Sequence, residues 1–295
     1  MLPGMAAAKP RVAIVGAGNL GSALALALER AGYAIEAVMT RPRGESRKRA
    51  RGLAKQVGAR VVTDLSTVRA ELIWFCVPDA EIARAARAVT GGVDWKGRVA
   101  LHSSGALTSD ELALLRSRGA AVASVHPMMT FVRGSQASAS GVLAGVPFAL
   151  EGDPAAVRVA RCVVRDVGGH AYSIAKEDKA AYHAWGTFAS PLFTALLATT
   201  EQVAALAGVT RAEAKRRMIP ILQQTLANYA AFGAAGAFSG PIVRGDVDTV
   251  KRHLHVLRAQ PAARRVYSGL ASAALQYLPV KHKRALKRIL DSSPD

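Results

Sequence analysis

The sequence predicts a doubly wound, mostly parallel α/β sheet followed by an all-α domain. Three observations lead there. Up to about residue 174, short apolar runs alternate with amphipathic helical patterns, as in a parallel sheet covered on both faces. A glycine-rich turn, Gly16-Ala17-Gly18-Asn19-Leu20-Gly21, separates the first apolar run from the first helical pattern. From residue 176 onward no strand signal remains. These place a boundary at 173/174, with an α/β domain over 1–173 and a helical domain over 174–295.

Taken in order, residues 11–16 read as a strand, 19–31 as a helix and 33–39 as a second strand. A helix over 45–57 and a short strand at 60–62 follow. Next come a strand at 71–76 and a helix at 79–89, which Asp79 is placed to cap. A strand at 98–102, a helix near 109–118 and a strand at 120–125 continue the alternation. Residues 146–150 and 170–174 read as two further strands at the sheet edge, with a helix over 153–167 between them. The small, polar stretch 135–145 reads as a mobile loop. Helical patterns then cover 176–207, 211–232, 246–258, 262–277 and 281–290.

Composition narrows the class. With 295 residues, 51% of them hydrophobic and 20% charged, the chain can bury a full core and is not disordered, coiled-coil or fibrous. Cys76 and Cys162 both sit in apolar surroundings and read as buried free thiols, which suits a reducing cytoplasm. Met1 to Pro10 lacks the apolar region of a signal peptide. Residues 180–200 carry no formal charge, but Pro191 and several polar residues favour a buried helix over a membrane span. The formal charge of +18 comes from scattered cations with no aromatic interleaving, so it argues for no specific nucleic-acid partner.

The glycine turn stands where a dinucleotide fingerprint must stand, after a strand and opening a helix. Gly16 permits the tight turn, Gly18 close approach of a pyrophosphate, and Gly21 close helix–strand packing. The N–H groups at the helix start, from Asn19 and Leu20, face the phosphate. At the end of the second strand, no acidic residue stands where NAD ribose recognition would need one. Thr40, Arg41 and Arg43 stand there instead, the chemistry that holds a 2′-phosphate, so the expected cofactor is NADP(H). Val77 and Pro78, at the end of a later strand, complete the cofactor lining.

Ligands of open parallel sheets lie at the carboxyl ends of the strands. Two strand ends deliver polar groups there: His102-Ser103-Ser104-Gly105 and His126-Pro127-Met128. Lys179 and His183, four residues apart, share a helix face in an alanine-rich setting where burial would lower the lysine pKa. Lys179, His126, Ser104 and His183 are therefore the candidate catalytic residues. Ser103, His102 and Arg244 are the candidate substrate contacts, with Arg244 suited to an anionic group. Arg244 lies in the turn-rich segment 238–246, which reads as a loop ending in Asp246 as a helix cap. No HExxH or carboxylate cluster argues for a metal.

The whole chain resembles bacterial proteins that pair a Rossmann-like domain with an α-helical domain of unknown function. These lie within the superfamily with 6-phosphogluconate-dehydrogenase-like C-terminal domains. The glycine turn, Val77-Pro78-Asp79, the segments from His102 to Gly105 and His126 to Phe131, and Tyr182-His183-Ala184 carry the resemblance. Its most specific part is Phe238-Ser-Gly-Pro-Ile-Val-Arg-Gly-Asp246. The resemblance implies an NADP oxidoreductase. Similarity to β-hydroxyacid dehydrogenases and ketopantoate reductases implies an acid/base lysine at Lys179, with His183 where those enzymes carry Asn. Similarity to prephenate dehydrogenases implies a catalytic histidine at His126 and a serine at Ser104. The family often has Ser-Asn where this chain has Ser190-Pro191, and Pro191 should kink the helix.

The expected function is thus NADP(H)-dependent hydride transfer to or from a small carbonyl, hydroxy-acid or imine compound, in a cytoplasmic homodimer paired through the helical domain. A catalytically silent NADP(H) sensor and a deazaflavin-linked NADP oxidoreductase are the rival readings.

Overall fold

The computed structural model describes residues 9–132 and 142–292. Met1 to Ala8 and most of the stretch read as a mobile loop, 135–141, lie outside the described residues; 142–145 form turns. The chain divides into two compact units, Met1–Thr187 and Phe188–Asp295.

The first unit is built on an eight-stranded sheet in the order β3-β2-β1-β4-β5-β6-β7-β8. The strands are β1 (Val12–Val15), β2 (Ile35–Met39), β3 (Arg60–Val62), β4 (Leu72–Phe75), β5 (Val99–His102), β6 (Ala121–Pro127), β7 (Pro147–Gly152) and β8 (His170–Ser173). All neighbours run parallel except β6 and β7. Five helices belong to this sheet: α1 (Asn19–Arg30), α2 (Glu45–Gln56), α3 (Ile82–Ala88), α4 (Ala113–Arg116) and α5 (Pro154–Asp166).

The β period of two sorts each strand between two cores. Val12 and Ile14 pack into one with α1, α2 and α5, while Ala13 and Val15 pack into the other with α3 and Trp95. In β4 Leu72, Ile73, Trp74 and Phe75 are all at most 1% exposed, as a strand covered on both faces must be. Each such side chain contributes about 1.5–3 kcal/mol by leaving water.

The helix α6 (Lys179–Thr187) closes the first unit, so the compact unit runs past the expected boundary at 173/174. Inward-facing Lys179 and Tyr182 tie α6 to the strand ends, which contacts decide and composition does not show. A π-helical turn, Phe188–Leu192, follows and contains Pro191, whose missing N–H breaks the α-helical ladder.

The second unit holds α7 (Phe193–Ala205), α8 (Arg211–Ala237), α9 (Pro241–Arg244), α10 (Val247–Val256), α11 (Pro261–Tyr277) and α12 (Lys283–Asp291). Its core is small: Val250, Leu254, Ala271, Leu286 and Leu290, from α10, α11 and α12. Helix α8 has a break at Gly233, where φ is 67°.

Several expectations need correction. Residues 180–200 are not a buried helix: Trp185 and Phe188 are 61% and 71% exposed, and α7 has no buried residue. The segment 238–246 includes the single turn α9, started by Pro241 at a position where a helix needs no N–H. Cys162 is exposed, because α5 turns Ala160, Val163 and Val164 inward and leaves 162 off that face. Cys76 is partly buried, and burial pushes its thiol pKa upward.

Candidate active site

The glycine turn sits at the topological switch point, where β1 is flanked by β2 on one side and β4 on the other. Gly16 has φ of +104°, and a Cβ there would lie 2.5 Å from the Cys76 carbonyl oxygen at the exit of β4. A Cβ on Gly21 would lie 2.1 Å from the Gly16 carbonyl oxygen, so only glycine lets α1 seat against β1. Gly18 differs: its Cβ position faces open space, which leaves the backbone approachable. Gly18 is also the N-cap of α1 and offers no side-chain cap, so no side chain of its own competes for the N–H groups at the helix start. Asn19 donates its side-chain amide to the Phe131 carbonyl at 2.9 Å. Leu20 packs partly against the core.

At the end of β2, Thr40 is 8% exposed and its N–H donates to the Val62 carbonyl at 3.1 Å. Arg41 and Arg43 are exposed and form no ion pair among the described residues. Glu36, the nearest acid in the strand, is committed elsewhere: it pairs with Arg60 at 2.9 Å and accepts the Arg69 N–H. The residues present therefore fit a dinucleotide carrying a 2′-phosphate, with Val77 and Pro78 at the exit of β4 beside Gly16.

The second group lies at the ends of β5 and β6. His102 is fully buried, accepts the Ser104 N–H on Nδ1 at 3.1 Å and lies 2.9 Å from the Thr108 carbonyl through Nε2. Those bonds make it a neutral Nε2–H tautomer, and burial lowers its pKa to about 4. It has no ring nitrogen left for a ligand; it shapes the Ser104 turn. Ser103 accepts the Trp74 indole N–H at 2.8 Å. Ser104 donates its hydroxyl to Asp79 Oδ2 at 2.8 Å and accepts the Leu107 N–H at 2.9 Å. Asp79 thus binds Ser104 and does not cap the helix that follows it.

Lys179 is 1% exposed. Its ammonium donates to the Ser124 hydroxyl at 2.6 Å and the Ser104 carbonyl at 3.0 Å, with no carboxylate in contact among the described residues. Burial lowers its pKa to about 8 against the weaker pull of Glu151 and Asp79. His126 is half-buried, and burial, followed by the nearby Lys179 charge and His183, brings its pKa to about 4. Its Nδ1 lies 2.8 Å from the Tyr182 hydroxyl. The His183 ring stands edge-on to His126, with centroids 6.0 Å apart.

The structure therefore brings Lys179, His126, Ser104 and His183 into one cluster. Ser103 and His102 lie beside it, turned into the protein. Arg244 is exposed in the other unit, at the last residue of α9, and Asp246 caps α10 by accepting the Thr249 N–H. Sequence reasoning gave no site role to Ser124, Tyr182, Asp79 or Gly105, although Asp79, Tyr182 and Gly105 lie within the motifs that carry the resemblance. Ser124 lies two residues before His126, hence on the same face of β6. Tyr182 lies three residues after Lys179, the inward spacing of α6; the i+4 pairing chosen from the sequence led to exposed His183.

Two domain families match the chain. A Rossmann-like domain matches residues 3–127, and Domain of unknown function DUF2520 matches residues 146–274. The chain joins a Rossmann-like domain to a DUF2520 domain. The cluster draws on both: Ser104 and His126 come from the Rossmann-like match, Lys179 and Tyr182 from the DUF2520 match.

No curated protein matches the sequence. Among solved structures, a Bacteroides fragilis protein with a proposed NADP oxidoreductase activity is similar over 90% of this chain and 97% of its own, at 22% identity and TM-score 0.73. A reductive aminase from Aspergillus terreus, in complex with NADPH and ethyl-5-oxohexanoate, matches 96% of this chain and 100% of its own, at 17% identity and TM-score 0.63. An imine reductase variant from Myxococcus stipitatus, in complex with NAD+, matches 96% and 99%, at 19% identity and TM-score 0.61. These likenesses establish the shared fold of the Rossmann-like and DUF2520 regions. Among the described residues no helix is long and apolar enough to cross a membrane, and no group of three His, Cys, Asp or Glu residues is placed to hold a metal.

Proposed function

We propose that the chain is an NADP(H)-dependent oxidoreductase acting on a small carbonyl, hydroxy-acid or imine compound. The observation that carries this reading is Lys179, a buried ammonium with neutral hydrogen-bond partners, set behind Ser104 and His126 at the strand ends of a sheet with a dinucleotide turn. Gly16, Gly18, Asn19, Leu20 and Gly21 would hold the pyrophosphate, Arg41 and Arg43 with Thr40 the 2′-phosphate, and Val77 and Pro78 the adjoining ribose. When bound, the nicotinamide supplies or accepts the hydride.

The chain's own residues do the rest. His126 presents a polar edge to the substrate, and Ser104, held by Asp79, orients it. Lys179 keeps a proton that it can release near neutral pH, and its charge stabilises negative charge developing over the Ser104–Gly105 turn. The neighbours bound to NADPH and to a keto ester, or named as imine reductases, support this class of substrate.

The reading includes a homodimer formed through the helical unit. Support comes from α8, a 27-residue helix whose sole buried residue is Ala214, and from exposed Ile221, Leu226, Tyr229 and Phe232 upon it.

Fluorescence titration with NADPH and NADH, beside an Arg41→Ala/Arg43→Ala variant, tests the cofactor assignment. Tight NADPH binding, weak NADH binding and at least about a tenfold loss in the variant are expected, the effect of about one charge-assisted contact. Binding of neither nucleotide overturns the oxidoreductase reading.

A further inference from the structure

Tyr182 fills no role in that scheme, yet it is buried beside the cluster. It is 8% exposed, and its ring stands edge-on to His126, Tyr172 and Trp185 at centroid distances of 5.4, 6.3 and 6.2 Å. We infer that Tyr182 is a positioning residue that fixes the tautomer of His126: its hydroxyl donates to Nδ1, so His126 presents Nε2–H beside Gly105.

The argument is a count of protons and acceptors. The Tyr182 hydroxyl lies 2.8 Å from His126 Nδ1. A buried phenol must place its one proton on an acceptor or bear the cost of an unmade hydrogen bond. The neighbouring Tyr172 hydroxyl is buried too and meets no hydrogen-bond partner at normal distance among the described residues, so its own proton can turn only toward the Tyr182 oxygen, and a Tyr182 proton turned the other way would leave it stranded. The lone pair on Nδ1 can take the Tyr182 proton. Burial keeps the phenol protonated, and a neutral imidazole that accepts on Nδ1 carries its hydrogen on Nε2.

Gly105 decides what that edge meets. A Cβ at residue 105 would lie 2.9 Å from His126 Nε2 and 2.5 Å from His183 Cδ2. Glycine there leaves Nε2 unobstructed by a side chain of its own strand-end turn.

The chemical consequence rests on the oxidoreductase reading. A neutral Nε2–H is a donor, so it takes a group with a lone pair: a carbonyl oxygen or an unprotonated imine nitrogen. A preformed iminium has none to offer.

The test is the ¹⁵N spectrum of histidine in the full-length protein without substrate or cofactor, with the His126 signals assigned by their loss in His126→Gln. The inference expects Nε2 in the protonated, pyrrole-like range and Nδ1 in the unprotonated, pyridine-like range at pH 7. In Tyr182→Phe, which keeps the ring and its edge contacts, both signals should move toward the average of a mixed tautomer. Wild-type His126 carrying its hydrogen on Nδ1 overturns the inference without any variant needing to fold. An unchanged His126 spectrum in a folded Tyr182→Phe protein overturns it too. Neither readout uses turnover, so a chain that proves to have no reductase activity fails the functional reading and leaves this result separately legible.

Discussion

The two units of this chain use similar proportions of apolar residues in opposite ways. In the first, β4 is covered on both faces and its four residues are essentially withdrawn from water. In the second, α7 buries nothing and α8 buries only Ala214, while Phe232 and Ile221 are 69% and 67% exposed. The sheet unit is satisfied by its own chain, and the helical unit is not. Apolar residues that the chain leaves uncovered are the ones available for another molecule, which is why the proposed homodimer is assigned to the second unit.

The contrast can be broken by substitution. Trp74→Ala should destabilise the first unit by about 3–5 kcal/mol in urea unfolding, since it empties a closed core site. It also leaves the Ser103 hydroxyl without its donor. A loss under about 1 kcal/mol would mean that the sheet is not closed as described.

Acid sharpens the same contrast. His102 and His126 have pKa values of about 4 in the folded unit against an ordinary 6.5. Between those values the unfolded chain binds more protons, so stability rises with pH and is lost as pH falls from about 6.5 to about 4. The loss approaches about 3 kcal/mol for each histidine at the low end. Unfolding curves across that range, compared with His102→Asn, should show a flatter acid limb in the variant.

Within the site, Lys179→Ala should cut NADPH turnover with a panel of keto acids and imines by about 100-fold or more while NADPH affinity holds. Turnover equal to the wild type would remove Lys179 from the chemistry. The smallest effect belongs to the helical unit. Phe232→Ala should change the unfolding free energy of an isolated protomer by no more than about 0.5 kcal/mol. In a dimer, the same change should weaken association, seen by light scattering at micromolar concentration. A wild-type monomer at that concentration would sink the dimer.

The parts legible in sequence were those decided locally. The glycine turn declares itself because steric demands at Gly16 and Gly21 act within a few residues and against the next strand. Strand ends at His102 and His126 were visible because apolar runs stop there. Lys179 was visible as a lysine in an alanine-rich helix start. Its true neighbour on the inward face, Tyr182, was not, because i+3 and i+4 residues share a face until packing chooses between them. The exposure of 180–200 was invisible for a different reason: hydrophobicity states that a surface is to be covered and says nothing of whose chain covers it. Likewise His102 reads as a ligand contact in sequence, and only the carbonyl of Thr108 and the N–H of Ser104 show that its nitrogens are spent.

The cage around Lys179 has one more implication. An ammonium brings three N–H donors, and this one meets two acceptors among the described residues. A neutral amine brings two donors and a lone pair. Both acceptors can therefore stay occupied whichever form is present, and losing the proton breaks neither hydrogen bond. Proton transfer at this nitrogen therefore leaves both of these hydrogen bonds in place, so the lysine can change charge without losing the contacts that hold it.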